Sequence, residues 1–135
     1  MLQGIDPLLT GELLVHLDQM GHGDLIVIAD AHFPARSLAT RFVDMPGVAT
    51  PDLVRAVRTV LPLDGAPAVL AMATPDDSTL PIHEALADAA GITVAAVEFV
   101  ERFAFYDLAK SAYVIVRTGE NRIYANAALR KGVVG

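Results

Sequence analysis

The chain has 135 residues, of which 53% are hydrophobic and 19% charged, and its formal net charge is −6. That length suits one domain with a real core, and an acidic chain without a basic cluster is a poor partner for nucleic acid or an anionic membrane. With no cysteine, disulfide frameworks, thiolate nucleophiles and Cys-type zinc sites are excluded.

The stretch from Met1 to Pro7 lacks the basic start and long apolar run of a signal peptide, which predicts a cytoplasmic protein. Its apolar runs are far too short to span a bilayer. The charged fraction lies below the usual value of about 25%. In a domain with much surface for its volume, the surplus apolar side chains predict a subunit interface, hence a homo-oligomer.

Thr10 precedes Leu13, Leu14, Leu17 and Met20 at helical spacing, with Gly21 as the stop. Leu25–Ala29 is a β-branched run of the length of a buried strand. Thr50-Pro51-Asp52 opens a helix that runs to Leu61, with proline at a permitted early position. Val69–Ala73 reads as a strand, Pro81–Ala90 as a helix ended by Gly91, and Val94–Val100 as a strand. Arg102–Ser111 reads as a helix and Ala112–Arg117 as a further strand. Helices alternating with continuous apolar strands predict a single α/β domain whose sheet is covered on both faces. Ligands of such sheets gather where strands end, and the unusual polar residues stand at such places.

Gly21-His22-Gly23-Asp24 sets an imidazole between two glycines, which let a ligand approach the chain. Histidine can give and take protons near neutral pH. A loop histidine bonded to nearby backbone would carry the same pattern. Asp30 follows five apolar residues, which puts a carboxylate at the rim of the buried sheet. Such a group is either a clamp for a ligand hydroxyl or a structural acceptor of backbone N–H bonds. His22, Asp24, Asp30 and His32 together suggest a metal, but no His-x-x-x-His pair supports one. No metal is expected.

His16 shares a polar helix face with Glu12 and Gln19 and is expected in solvent, while His83, after Pro81, gives no signal. The serines lie outside any Gly-x-Ser-x-Gly turn. No Gly-rich phosphate loop or dinucleotide fingerprint occurs, so no cofactor is expected. Arg102 and Tyr106 are four residues apart on one helix face, with Phe105 on the core side. They are either a donor and a flat wall for a sugar or ordinary helix packing. Tyr124-Ala125-Asn126 offers neutral hydrogen-bonding groups suited to hydroxyls.

Taken together, Gly21-His22-Gly23-Asp24, Asp30-Ala31-His32-Phe33-Pro34, Arg102-Phe103-Ala104-Phe105-Tyr106, Thr118-Gly119-Glu120, Tyr124-Ala125-Asn126 and Lys131-Gly132-Val133 resemble, in order and spacing, the L-fucose mutarotase and D-ribose pyranase family. The resemblance runs nearly end to end. His-Phe-Pro after the aspartate and the aromatic helix start are similar to the fucose branch, whereas Ala125 between tyrosine and asparagine is more like the ribose branch. The resemblance implies His22 as proton donor, with Asp30, Arg102 and Tyr124 to Asn126 binding the sugar. Tyr106 would line the pocket, and Asp64 matches a contact seen in part of the family. It also implies a three-layer α/β/α fold with a mixed, mostly parallel sheet. Ring-like homo-oligomers, often decamers, would have pockets shared between subunits. The implied reaction interconverts the anomers of a free monosaccharide, most simply L-fucose. Pyranose–furanose interconversion of D-ribose and a non-catalytic sugar-binding accessory role are the competing readings.

Overall fold

The computed structural model describes residues 1–135. Its elements are α1 (Gly11–Gln19), β1 (Leu25–Ala29), α2 (Ala35–Leu38), β2 (Phe42–Met45), α3 (Thr50–Arg58), β3 (Val69–Met72), α4 (Pro81–Ala90), β4 (Glu98–Val100), α5 (Arg102–Ser111), β5 (Val114–Thr118) and β6 (Ala127–Arg130). The strands form one sheet in the order β2-β5-β1-β6-β3-β4. β6 runs antiparallel to β1 and β3, and the remaining neighbours are parallel.

All five residues of β1 are buried, which explains why it reads as a continuous apolar run rather than an alternation. Its side chains still alternate between faces. Ile26 and Ile28 join one core with Leu13 and Leu17 of α1, Leu53 and Val57 of α3 and Leu86 of α4. Leu25, Val27 and Ala29 join a second core with Ala35 of α2 and Phe105 and Ala109 of α5. Two helical layers therefore enclose the sheet, giving the three-layer α/β/α arrangement that the resemblance implied. Phe105 is fully buried, so truncating it to alanine should cost about 3–5 kcal/mol.

Local signals set the helix ends. The Thr10 hydroxyl accepts from the Leu13 N–H at 3.2 Å, and the Glu101 carboxylate accepts from the N–H groups of Phe103 and Ala104. Both satisfy donors that a helix start leaves unpaired. Gly91 closes α4 at φ 77°. A Cβ there would meet the Arg58 guanidinium, the movable end of a flexible side chain, so it is the left-handed conformation that favours glycine.

Three readings change. Val94–Val100 is a single turn of 3₁₀ helix at Val94–Ala96 followed by the shorter β4. The Ala96 N–H bonds back to the Thr93 carbonyl, and Val94 packs on the core from that turn. α3 ends at Arg58 rather than Leu61. His16 packs edge-on against Tyr113, with its Nδ1 buried and unbonded, rather than standing in solvent.

Candidate active site

The ends of the parallel strands β1 and β3, the start of α5 and the residues entering β6 enclose a cavity of about 240 Å³. This is the end of an α/β sheet where ligands usually bind, and its volume lies below the usual range of about 300–1,000 Å³ for drug-sized ligands. It suits a monosaccharide better than a nucleotide. Asp30, Arg102, Tyr106, Tyr124 and Asn126 all line it.

Asp30 follows the last residue of β1 and is 2% exposed. Its Oδ1 accepts from the His32 N–H at 3.0 Å, and its Oδ2 from the Ala125 N–H at 3.3 Å. Burial pushes its carboxyl above the ordinary aspartate value, and the two backbone donors pull part of that back. The Asn126 Oδ1 accepts from the Asp30 N–H at 2.7 Å. Asp30 is thus both a structural acceptor and a wall of the cavity.

Arg102 and Tyr106 lie one turn apart on α5, and the Arg102 Nε donates to the Tyr106 hydroxyl at 2.9 Å. This bond raises the guanidinium pKa further, so the cavity always faces a positive charge. Phe33 braces the aromatic side, edge-on to both Phe105 and Tyr106 at 5.8 and 5.4 Å. His32, which also lines the cavity, donates from Nε2 to the Asn121 carbonyl at 3.0 Å. Phe33, Met72 and Ile123 are lining residues that the sequence reading did not select, and His32 was considered only within a candidate metal set. His32 and Phe33 sit inside a motif that carried the resemblance, which was the available signal.

Ala125 does not line the cavity. It is fully buried with its methyl in the core of the α1 face, and it serves the site through its backbone N–H alone. The Ala-for-Gly difference therefore leaves the cavity wall unchanged.

His22 and Asp64 stand elsewhere. The His22 Nε2 donates to the Asp64 Oδ1 at 3.2 Å, at the opposite end of β1. Four strand steps separate the two ends of β1 by about 13 Å. Gly23, with φ 89°, bonds its N–H to the Lys131 carbonyl, and the Lys131 N–H returns to the Asp24 carbonyl. Asp64 reaches His22 because its N–H is held by the Arg130 carbonyl. The Gly65 N–H and then His22 hold the Asp64 carboxyl below the ordinary aspartate range. Within one protomer, then, the implied proton donor does not meet the implied sugar clamps. The set of His22, Asp24, Asp30 and His32 is likewise split between two ends, so it is no single metal site in a protomer.

The model of the RbsD / FucU transport protein family matches residues 3–134. The chain belongs to this family. An L-fucose mutarotase of Actinobacillus pleuropneumoniae serotype 5b (strain L20) is 41% identical to it, the match covering 98% of this chain and 97% of the relative. The fucose mutarotase of Streptococcus pneumoniae, solved in complex with L-fucose, superposes with a TM-score of 0.89 at 33% identity, over 99% of this chain and 100% of that one. Bacillus subtilis RbsD, solved with D-ribose, superposes at 0.80 with 28% identity over the whole of both chains. Fold and length are thus common to both branches of the RbsD / FucU family, and the likeness to the fucose member is greater.

Proposed function

We propose that this protein is an L-fucose mutarotase, an isomerase of the cytoplasm that opens and recloses the ring of the free sugar. The observation that carries this is the cavity at the strand ends. A buried carboxylate, a fixed guanidinium and two tyrosines face one small space there. Asp30 and Asn126 bind hydroxyls, Arg102 donates to a ring or hydroxyl oxygen, and Tyr106 and Tyr124 form the flat wall.

The proton donor is His22, brought to this cavity by a neighbouring subunit. Exposed apolar side chains support such packing: Phe103 and Ile123 lie beside the cavity, and Val133 and Val134 beyond the other end of β6. A ring of subunits, paired into a decamer, places one chain's His22–Asp64 pair against the next chain's cavity. Asp64 accepts the Nε2–H, which fixes the tautomer and stabilises the imidazolium and leaves Nδ1 to work. The Nδ1–H protonates the ring oxygen as the bond from that oxygen to the anomeric carbon breaks. The anomeric hydroxyl releases its proton to solvent, from which the imidazole is recharged. The open aldehyde turns and recloses on its other face. No electrons or groups are transferred, and positioned acid–base catalysis of this kind contributes about 10²–10⁴-fold.

Saturation-transfer NMR on free L-fucose and D-ribose tests the reading. L-fucose anomers should exchange faster with enzyme than without, and faster than D-ribose. No acceleration of either sugar refutes the enzyme, and faster D-ribose exchange refutes the choice of sugar. Light scattering should report several times the protomer mass of 14.3 kDa.

A further inference from the structure

His83 lies outside the cavity and within the first turn of α4, a helix whose N-cap, Leu80, has no polar side chain. Its Nδ1 accepts from the Leu80 N–H at 3.0 Å, so that nitrogen carries no proton. Its Nε2 stands 3.1 Å from the Tyr124 carbonyl oxygen. A carbonyl only accepts, so Nε2 carries the proton. The two partners together fix the neutral Nε2–H form. The residue is 1% exposed, and its ring meets Phe99 edge-on at 5.0 Å. Burial lowers its pKa, in keeping with a ring that stays neutral.

The carbonyl it holds belongs to an unusual residue. Tyr124 has φ 59°, a left-handed conformation that bulky L residues rarely adopt and that persists where surroundings over-determine it. From this turn the chain delivers the Tyr124 ring to the cavity, the Ala125 N–H to Asp30 and the Asn126 side chain to the Asp30 N–H.

We propose that His83 is a positioning residue of the site: its Nε2–H grips the Tyr124 carbonyl and holds the left-handed turn that aims Tyr124, Ala125 and Asn126. This rests on reading the cavity as the sugar site.

Two variants separate this role from the helix cap. His83→Asn places Oδ1 near the position of Nδ1, so it keeps the acceptor for Leu80 but does not reach Tyr124. His83→Gln extends an amide NH₂ to the position of Nε2 and keeps the Tyr124 bond. In His83→Asn the KM for L-fucose should rise about tenfold, the size of one lost buried hydrogen bond, with kcat changed less. His83→Gln should recover most of that loss, whatever its melting temperature. Equal and wild-type KM values in both folded variants overturn the proposal.

If His83→Asn does not fold, ¹⁵N-histidine NMR of the wild type decides. The Nε2–H form supports the assignment, and an Nδ1–H form overturns it. Wild-type protein that exchanges no sugar refutes the sugar reading instead. The Ala125 and Asn126 amide shifts then test His83 alone. A large change in His83→Asn but not in His83→Gln upholds the role, and no change in either overturns it.

Discussion

Mixing two inactive variants offers a direct test of whether a pocket is built from two chains. His22→Asn keeps the cavity but removes the proposed proton donor, and should slow L-fucose exchange roughly 10²-fold or more. Asp30→Asn keeps the His22–Asp64 pair. It sets an NH₂ group against one of the two backbone donors that stand at 3.0 and 3.3 Å in the wild type, so the proposed clamp fails even where the fold holds. Because β1 separates the two residues, they complement only across a subunit boundary. A pocket is whole when an Asp30→Asn chain supplies His22 and a His22→Asn chain supplies Asp30. With equal amounts refolded or expressed together, each condition holds for about half the neighbours, so about a quarter of the pockets recover. Saturation-transfer NMR on oligomers purified through two different affinity tags reads that fraction. Mixed oligomers no more active than either parent would refute the shared pocket. Each parent needs a thermal melt, so that a folding defect is not mistaken for a catalytic one.

Other consequences follow from individual contacts. Tyr106→Phe removes the oxygen that holds the Arg102 Nε and should raise the KM for L-fucose about fivefold, the range of one hydrogen bond, with kcat nearly unchanged; a fall in kcat alone counts against a binding role. Arg122, bonded to Glu120 at 2.8 and 2.9 Å, holds that carboxyl below the ordinary glutamate range, so its stabilisation is complete at neutral pH and is lost as pH falls below about 4.5. Glu120→Gln should therefore melt a few degrees lower at pH 7 and converge with wild type in acid, whereas a constant gap contradicts the linkage. Exchange should survive exhaustive chelation, since proton transfer suffices; loss on chelation with recovery on added zinc refutes this.

The parts of the fold legible in the sequence were those with strong local signals. β1 shows as five consecutive apolar residues, and α5 runs over the same Arg102–Ser111 as its pattern. β2 was not legible because Phe42-Val43-Asp44-Met45 carries an acidic residue whose partner, Arg117, comes from β5 across the sheet. α2 is one short turn after a proline, below the length at which helical spacing speaks. β6 was not legible either, because its place between β1 and β3 is a long-range fact. The site divides in the same way. Asp30, Arg102, Tyr106, Tyr124 and Asn126 are named by motif and do meet. The distance between His22 and that group follows from strand length and direction, which no motif contains. His83 was silent because its two partners, Leu80 and Tyr124, offer only backbone atoms to it.

β6 explains how the cavity and the distant His22–Asp64 pair stay in register. It enters the sheet from Tyr124-Ala125-Asn126, beside the end of β1 that carries Asp30, and pairs Ala127 with Ile28. Running antiparallel, it leaves beside the start of β1, pairing Arg130 with Leu25. There the Arg130 carbonyl takes the Asp64 N–H and the Lys131 carbonyl takes the Gly23 N–H. The Lys131 Nζ donates to the Leu17 and Met20 carbonyls at 2.6 Å each, closing the end of α1 just before His22. A parallel strand in this slot would enter and leave at the reverse ends, and its approach could not deliver Tyr124 and Asn126 to Asp30. The single antiparallel insertion thus lets four strand residues brace the cavity residues at one end and the His22–Asp64 pair at the other. A fixed span of this kind is what the proposed ring of identical chains requires. In that proposed ring each protomer presents His22 to one neighbour and its cavity to the next, at the separation that β6 and β1 set.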